Sequence, residues 1–484
     1  MDARGTETTA PRRAPGRRLP NIVFVLADDL GAGDLSCTGQ RRFSTPAIDR
    51  LAAGGMRFTR HYSGSPVCAP SRCVLMTGRH PGHVPIRDNK DVGLDEQMPL
   101  PRSFPILSEM LAAQGYVCGG FGKWGLGKPG NPGDPLTRGF DRFFGYHGQR
   151  HAHNHYPAFL DDGPRRVPLD NPDFSPHQKL GPGKSAFDPA NHVRFAGREW
   201  APERIHREAL SWIEAHRDHP FFCYLPTTVP HLALQAPPQW IAREAGRHGA
   251  DVPYVGDKSY LPSLSPRATY AALIGAMDRQ VGEVVDTIRR LGLEQDTLFV
   301  FTSDNGPLYD QLGGTDTDWF DSAAGLRGRK GSMHEGGIRV PAIVSWKGRI
   351  RPGQVTDSLS SFEDWVPTLL DLVGARRSIP AGCDGVSHAS ELLGSAPRHR
   401  NRTLYREFAG YGGWQAVWRG RHKCVRGQLG SGRRPWALHD LVDDPGETRD
   451  LAALDPRLVA ELDRHARAQH VPSRDFPLKG LGDP

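Results

Sequence analysis

The sequence predicts an α/β fold with a large, mainly parallel central sheet flanked by helices. A small C-terminal antiparallel sheet with one packing helix follows it. Three observations carry this prediction. Apolar runs of strand length alternate with helical stretches over most of the chain. Two of those runs stop abruptly at acidic residues, where parallel sheets place their sites. After about residue 376 the alternation gives way to short, closely spaced strand-like segments.

In chain order, residues 1–20 are rich in Arg, Pro, Gly and Thr and predict a disordered basic tail. Asn21–Ala27 is a continuous apolar run followed by Asp28 and Asp29. Thr45 and Pro46 open a short helix to Ala53, as N-cap and first residue, and Gly54-Gly55 closes it. Ser103–Gln114 has helical spacing, and Tyr116–Phe121 reads as the next strand. Residues 127–200 are loop-heavy. Glu203–His216 reads as a helix, Phe221–Pro226 as a strand, and Ser265-Pro266 starts a long helix to about Leu291. Thr297–Ser303 is a second apolar strand, ending in Asp304 and Asn305. Ala342–Trp346 is a strand and Ser361–Val373 a helix. Thr403–Phe408, Trp414–Arg419, His422–Arg426 and Trp436–His439 then read as an antiparallel sheet packed by the helix Pro456–Arg467. This divides the chain into the tail 1–20, a main domain 21–375 and a C-terminal subdomain 376–484.

Composition narrows the function. The 484 residues are 38% hydrophobic, enough for a sizeable core. The net charge is +7, but five arginines against two carboxylates in the first twenty residues leave only +4 for the rest of the chain. That is too diffuse for a nucleic-acid-binding face. The seven cysteines are odd in number, spread out and without a CxxC pair, so neither a disulfide scaffold nor a cysteine zinc site is expected. No stretch is apolar enough to span a membrane. The N-terminal arginines lead into Ala14-Pro15-Gly16 and not into an apolar run, which predicts a cytoplasmic protein. Oligomeric state has no signature here.

Three carboxylates and one carboxamide, brought together at neighbouring strand ends, form a hard oxygen site suited to calcium or magnesium. Asp28-Asp29 and Asp304-Asn305 also fit solvated turns that cap strands. The most specific local signal runs from Cys68 through Pro70, Ser71, Arg72 and Leu75 to Thr77-Gly78-Arg79, an uninterrupted CxPSRxxLxTGR. Pro70 fits the first position of a helix whose amides would face an anion, with Arg72 one turn on.

This segment resembles the signature of the type I sulfatases, members of the alkaline-phosphatase superfamily, and the resemblance continues from Asn21 to about Asp450. Gly122-Lys123-Trp124 resembles the family's GKW segment and Pro230-His231 its PH motif. Thr302–Gly306 resembles its second metal strand. Arg327–Gly331 and Glu335–Pro341 resemble its RGxKxxxxEGGxRVP block. His439–Leu441 with Asp444–Glu447 resembles its C-terminal strand and turn.

The resemblance implies hydrolysis of a small sulfate monoester, aryl or carbohydrate, on an alkaline-phosphatase-like fold. It implies a calcium ion held by Asp28, Asp29, Asp304 and Asn305, with Cys68 completing the shell. It implies that a maturation enzyme oxidises Cys68 to formylglycine, whose gem-diol attacks sulfur. Arg72, Lys123 and Lys330 would hold nucleophile and sulfate, and His231 would serve the leaving oxygen. One position departs from the family. Many members read GKWHxG, whereas this chain has Gly125. His151 or His153, in the tract His147–His155, is expected to line the pocket and either compensate or bind the substrate through its hydroxyls. The tract also fits a polar surface loop or a zinc tract. Trp240, Trp319 and Trp414 fit either sugar stacking or core. Competing readings are a phosphonate or phosphate ester hydrolase of the same superfamily, and a non-catalytic anion-binding protein if Cys68 stays unmodified.

Overall fold

The computed structural model describes residues 19–92, 97–396, 399, 402–432 and 434–483. A basic tail expected over 1–20 therefore lies outside the described residues up to residue 18. Pro20 already belongs to the fold: it is buried, and its carbonyl accepts from the Tyr116 hydroxyl at 2.6 Å.

The strands in chain order are β1 (Asn21–Asp28), β2 (Met56–Phe58), β3 (His61–Tyr62), β4 (Val117–Lys123), β5 (Arg142–Tyr146), β6 (Phe159–Asp162), β7 (Arg165–Pro168), β8 (Phe221–Pro230), β9 (Thr297–Ser303), β10 (Ala342–Ser345), β11 (Gln354–Thr356), β12 (Ser360–Ser361), β13 (Thr403–Phe408), β14 (Trp414–Arg419), β15 (His422–Gly427) and β16 (Ala437–Asp440). Ten of them form one sheet in the order β11-β2-β10-β9-β1-β8-β4-β5-β6-β7. Its centre, β9-β1-β8-β4-β5, is wholly parallel, and antiparallel strands flank it on both sides. The last four strands form a separate antiparallel sheet, with the helix Pro456–Gln469 packed on it.

β1 shows why an apolar run without alternation makes a central strand. Val23, Val25 and Ala27 face one core, shared with the helices Ala201–Ala215 and Pro266–Arg290. Ile22, Phe24 and Leu26 face the other, shared with the helices Cys68–Thr77 and Trp365–Leu372. Successive side chains point to opposite faces, so a strand covered on both sides must be apolar throughout.

Several boundaries differ from expectation. The helix expected over 103–114 covers only Leu107–Ala112, because Pro105 disfavours the helical conformation at Phe104 and the residues before it form a turn, Phe104 N–H donating to the Pro101 carbonyl at 3.2 Å. The helix expected over 361–373 is regular over Trp365–Leu372, after a 3-10 turn capped by Ser361 and Asp364. β8 runs four residues past its expected end, to Pro230. The loop-heavy stretch 127–200 contains three further strands, β5, β6 and β7.

Candidate active site

The site is assembled at the carboxyl ends of parallel strands. β1 and β9 pair in register, Ala27 against Ser303, so the residues beyond that pair emerge side by side. Those residues are Asp28 and Asp29 on one strand, Asp304 and Asn305 on the other, all at 0% exposure. Asp29 takes φ 64, a left-handed conformation that aspartate tolerates better than most residues. Its amide donates to Asp304 Oδ1 at 3.2 Å. β8, on the other side of β1, ends at Pro230 and delivers His231; β4, next in order, ends in Lys123. Ligand sites at the carboxyl edge of parallel sheets follow from this geometry.

The helix Cys68–Thr77 brings the remaining groups. Val67 is its N-cap and Cys68 its first residue, so Pro70 stands third and not first. Proline is tolerated there because the first-turn amides have no intrahelical acceptor. All ten residues of the helix are buried. Arg72 clamps Asp304 Oδ2 with Nε at 3.0 Å and Nη2 at 2.8 Å, and its Nη1 donates to the Lys123 carbonyl.

The polar groups interlock. Lys123 Nζ donates to Asp28 Oδ2 at 2.7 Å, and Lys330 Nζ to Asp29 Oδ2 at 2.8 Å. Cys68 Sγ lies 3.4 Å from both Asp28 Oδ1 and Lys330 Nζ. Asn305 donates Nδ2 to Asp29 Oδ1 at 2.6 Å, while its own buried Oδ1 has no partner among the described residues. His231 Nδ1 donates to the Leu232 carbonyl at 2.7 Å, leaving Nε2 directed at Asp29 Oδ2, 3.3 Å away. Ligand atoms of Asp28, Asp29, Cys68 and His231 all lie within 4.8 Å of one another.

Burial and charge crowding set the electrostatics. Burial pushes Asp304 up to about 6, reinforced by Asp28 and opposed by Arg72. Asp29 is also raised, by burial against the pull of Lys330. Burial would raise Asp28 too, but the charges of Lys123, Arg72 and Lys330 together hold it well below the usual carboxylate range. Burial, then Asp28, push the Cys68 thiol far up, so the unmodified side chain is a protonated thiol and no thiolate nucleophile. Burial and Lys330 lower His231, which is a neutral imidazole.

A family model described as Sulfatase matches residues 20–375. The chain belongs to the sulfatase family. A second model, N-sulphoglucosamine sulphohydrolase, C-terminal, matches residues 319–465 of this sulfatase. Human arylsulfatase A is 32% identical over 90% of the chain and 83% of its own length. N-acetylgalactosamine-6-O-sulfatase of Bacteroides thetaiotaomicron is 28% identical over 92% of the chain and 91% of its own. The crystal structure of Ps i-CgsB superposes with a TM-score of 0.76 at 25% identity, covering 93% of this chain and 92% of that one. The sulfatase is thus a sulfuric ester hydrolase that cleaves sulfate monoesters.

The sulfatase brings nine of the eleven site residues read from sequence into one buried cluster: Asp28, Asp29, Cys68, Arg72, Lys123, His231, Asp304, Asn305 and Lys330. His153 reaches the rim. It lines the same pocket of about 400 Å³ as Cys68, His231 and Lys330. His151 does not. Two residues apart on a 3-10 turn, the two side chains diverge, and His151 packs on Phe159, 4.5 Å between ring centroids, in a neighbouring cleft. The histidine tract makes no zinc cluster among the described residues, for His155 is buried against Gln235 and Trp200. None of Trp240, Trp319 and Trp414 lines the pocket. Trp319 is stacked by Arg42 and Arg267, and Trp240 by Arg243.

Gly125 is explained by a residue that sequence reasoning passed over. Gly125 has φ +76, and a Cβ there would lie 2.2 Å from Gln149 Nε2. The Gln149 carboxamide thus fills the space of a side chain at 125, and it lines the sulfatase pocket. Tyr260, also on the pocket wall, stands edge-on to His231 at 6.0 Å. Gln149 lies inside the tract His147–His155, which the sequence marked for its histidines alone, and Tyr260 lies in no periodic segment or motif.

Proposed function

We propose that this sulfatase acts through Cys68 oxidised to formylglycine, beside a calcium ion held by Asp28, Asp29, Asp304 and Asn305. The observation that carries this reading is Asn305 Oδ1, a buried acceptor without a partner among the described residues, beside three fully buried carboxylates. An oxygen-only donor set suits calcium, or magnesium in its place, and not zinc. A bound cation supplies charge neutralisation for the nucleophile and for the sulfate oxygens.

The protein's own groups do the rest. Arg72 fixes Asp304 with two nitrogens and the Lys123 carbonyl with a third, and pairs with Asp28 at 3.6 Å, locking the three strand ends together. Lys123 and Lys330 approach from either side, one on Asp28 and one on Asp29, and hold the sulfate oxygens as negative charge moves toward the leaving oxygen. Because His231 Nδ1 is committed to the Leu232 carbonyl, Nε2 is the nitrogen that takes a proton from the attacking hydroxyl and returns it to the leaving alcohol. Gln149 is an amide and takes no proton at neutral pH, so it orients the bound ester without acting as a base. The substrate is an aryl or carbohydrate sulfate, in keeping with the names of the relatives.

The deciding experiment is the mass of the tryptic peptide His61–Arg72 from protein made in its own host. An aldehyde at Cys68, with calcium-dependent turnover of an aryl sulfate, is the expected result. An intact thiol in fully active enzyme would overturn the proposed nucleophile. Faster turnover of a phenyl phosphonate than of the matching sulfate would overturn the substrate assignment.

A further inference from the structure

A second cleft, of about 840 Å³, lies against the reaction pocket. Arg150 stands on the walls of both. The same two chain segments border the two cavities. One contributes His147, His151 and Asn154 to the second cleft but His153 to the reaction pocket; the other contributes Asp173 and Ser175 to the second cleft but His177 to the reaction pocket. The cavities are therefore neighbours across one shared wall.

The second cleft is built for negative charge. Lys128, Arg150 and Arg166 line it against two carboxylates, Asp161 and Asp173. Asp161 is already engaged, with His147 Nδ1 at 3.0 Å from its Oδ2. Arg150 and Arg166 are both exposed, and neither has a carboxylate partner among the described residues. Guanidinium groups unpaired on a concave wall raise a positive potential and match planar or multi-oxygen anions. Between the charges the wall is apolar, with Pro157, Pro164 and Phe174. Such alternation suits a sugar ring bearing one anionic group.

We propose that this cleft is a subsite for an anionic saccharide unit joined to the sulfated one, with Arg150 and Arg166 binding its carboxylate or sulfate. The inference rests on the sulfated unit sitting at Cys68, and it assigns the substrate as an oligosaccharide of at least two units.

The test compares chondroitin and heparin disaccharides with their own sulfated monosaccharides, by calorimetry on Cys68→Ala protein and by turnover on active enzyme. Disaccharides carrying a uronate bind at least about ten-fold tighter, and the Arg150→Ala, Arg166→Ala double variant loses that gain, as expected for charge-assisted hydrogen bonds. The Arg166→Ala single variant, whose side chain lines only the second cleft, keeps its turnover of 4-nitrophenyl sulfate and its thermal midpoint. A neutral hexose in place of the uronate gives no gain. Equal binding of monosaccharides and disaccharides across the panel, or a gain that survives the double variant, overturns the subsite. If the disaccharides bind as expected but wild-type enzyme fails on every sulfate ester, the reading of the Cys68 pocket falls and the subsite stands.

Discussion

The imidazole of His153 lies flat on that of His231, with ring centroids 4.9 Å apart and planes only 16° from parallel. Its Nδ1 lies 3.2 Å from His177 Nε2, which ties it to the opposite wall. His153 thus fixes the orientation of the ring assigned to proton transfer. His153→Ala is expected to lower kcat by about ten-fold, the cost of a loosened general acid–base group. KM for an aryl sulfate should change little. A variant with wild-type kcat would reduce His153 to a spacer.

Arg72 and Asp304 are both at 0% exposure, and breaking such a pair strands a charge. Arg72→Ala is expected to destabilise by about 3–5 kcal/mol, read from urea unfolding. Arg72→Lys keeps the charge but not the two-nitrogen grip, and should recover stability while activity stays depressed. Stability close to wild type in Arg72→Ala would mean that Asp304 finds another cation.

Gly125 and Gln149 compete for one space, so their variants should not act independently. Gly125→Ala is expected to displace the Gln149 carboxamide and lower activity about as much as Gln149→Ala does. The double variant should be no worse than either single change, the behaviour of directly coupled sites. A residual stability cost of about 1–2 kcal/mol from the left-handed backbone should persist in both alanine-125 forms. Additive losses of activity would refute the shared space.

His388 makes stability depend on pH far from the pocket. Burial would lower its pKa, but hydrogen bonds to Asp364 at 3.3 Å and Glu391 at 3.2 Å outweigh burial and the charge of Arg402, and push it up to about 9. The folded value lies above the unfolded value of about 6.5. The stabilisation is therefore complete below about pH 6.5 and is lost as pH rises through about 9, on the order of 1–3 kcal/mol. The thermal midpoint of wild type should fall over that window, and His388→Gln should flatten the fall. Parallel curves for the two proteins would rule the linkage out.

Much of the site was legible because its residues follow long, patterned segments. Asp28 and Asp304 end apolar runs, and the Cys68 signature is one helix, Cys68–Thr77, closed by the glycine that follows it. Parallel in-register pairing of β1 and β9 turns those two sequence features into one cluster. Legibility fails where no period operates. β5 is five residues inside a glycine- and proline-rich stretch, too short to show alternation. The divergence of His151 from His153 depends on the geometry of a single 3-10 turn. Gln149 and Tyr260 are placed by loops, whose paths depend on distant packing; the histidine-rich composition around Gln149 marks the segment but not which of its side chains enters the pocket.

Lys423 of β15 has a consequence for how such chains can change. Its ammonium, at 0% exposure, reaches Glu335 at 3.0 Å and Glu447 at 2.9 Å. Glu335 in turn accepts from Tyr62 at 2.8 Å and from Trp418 at 2.9 Å. One buried knot therefore joins chain segments that are nearly four hundred positions apart, from Tyr62 to Glu447. A chimera that takes its last hundred residues from a relative would import half of that knot. Grafts made to alter substrate choice will hold together only if both halves come from the same parent, so recombination in this lineage is expected to respect partners and not boundaries.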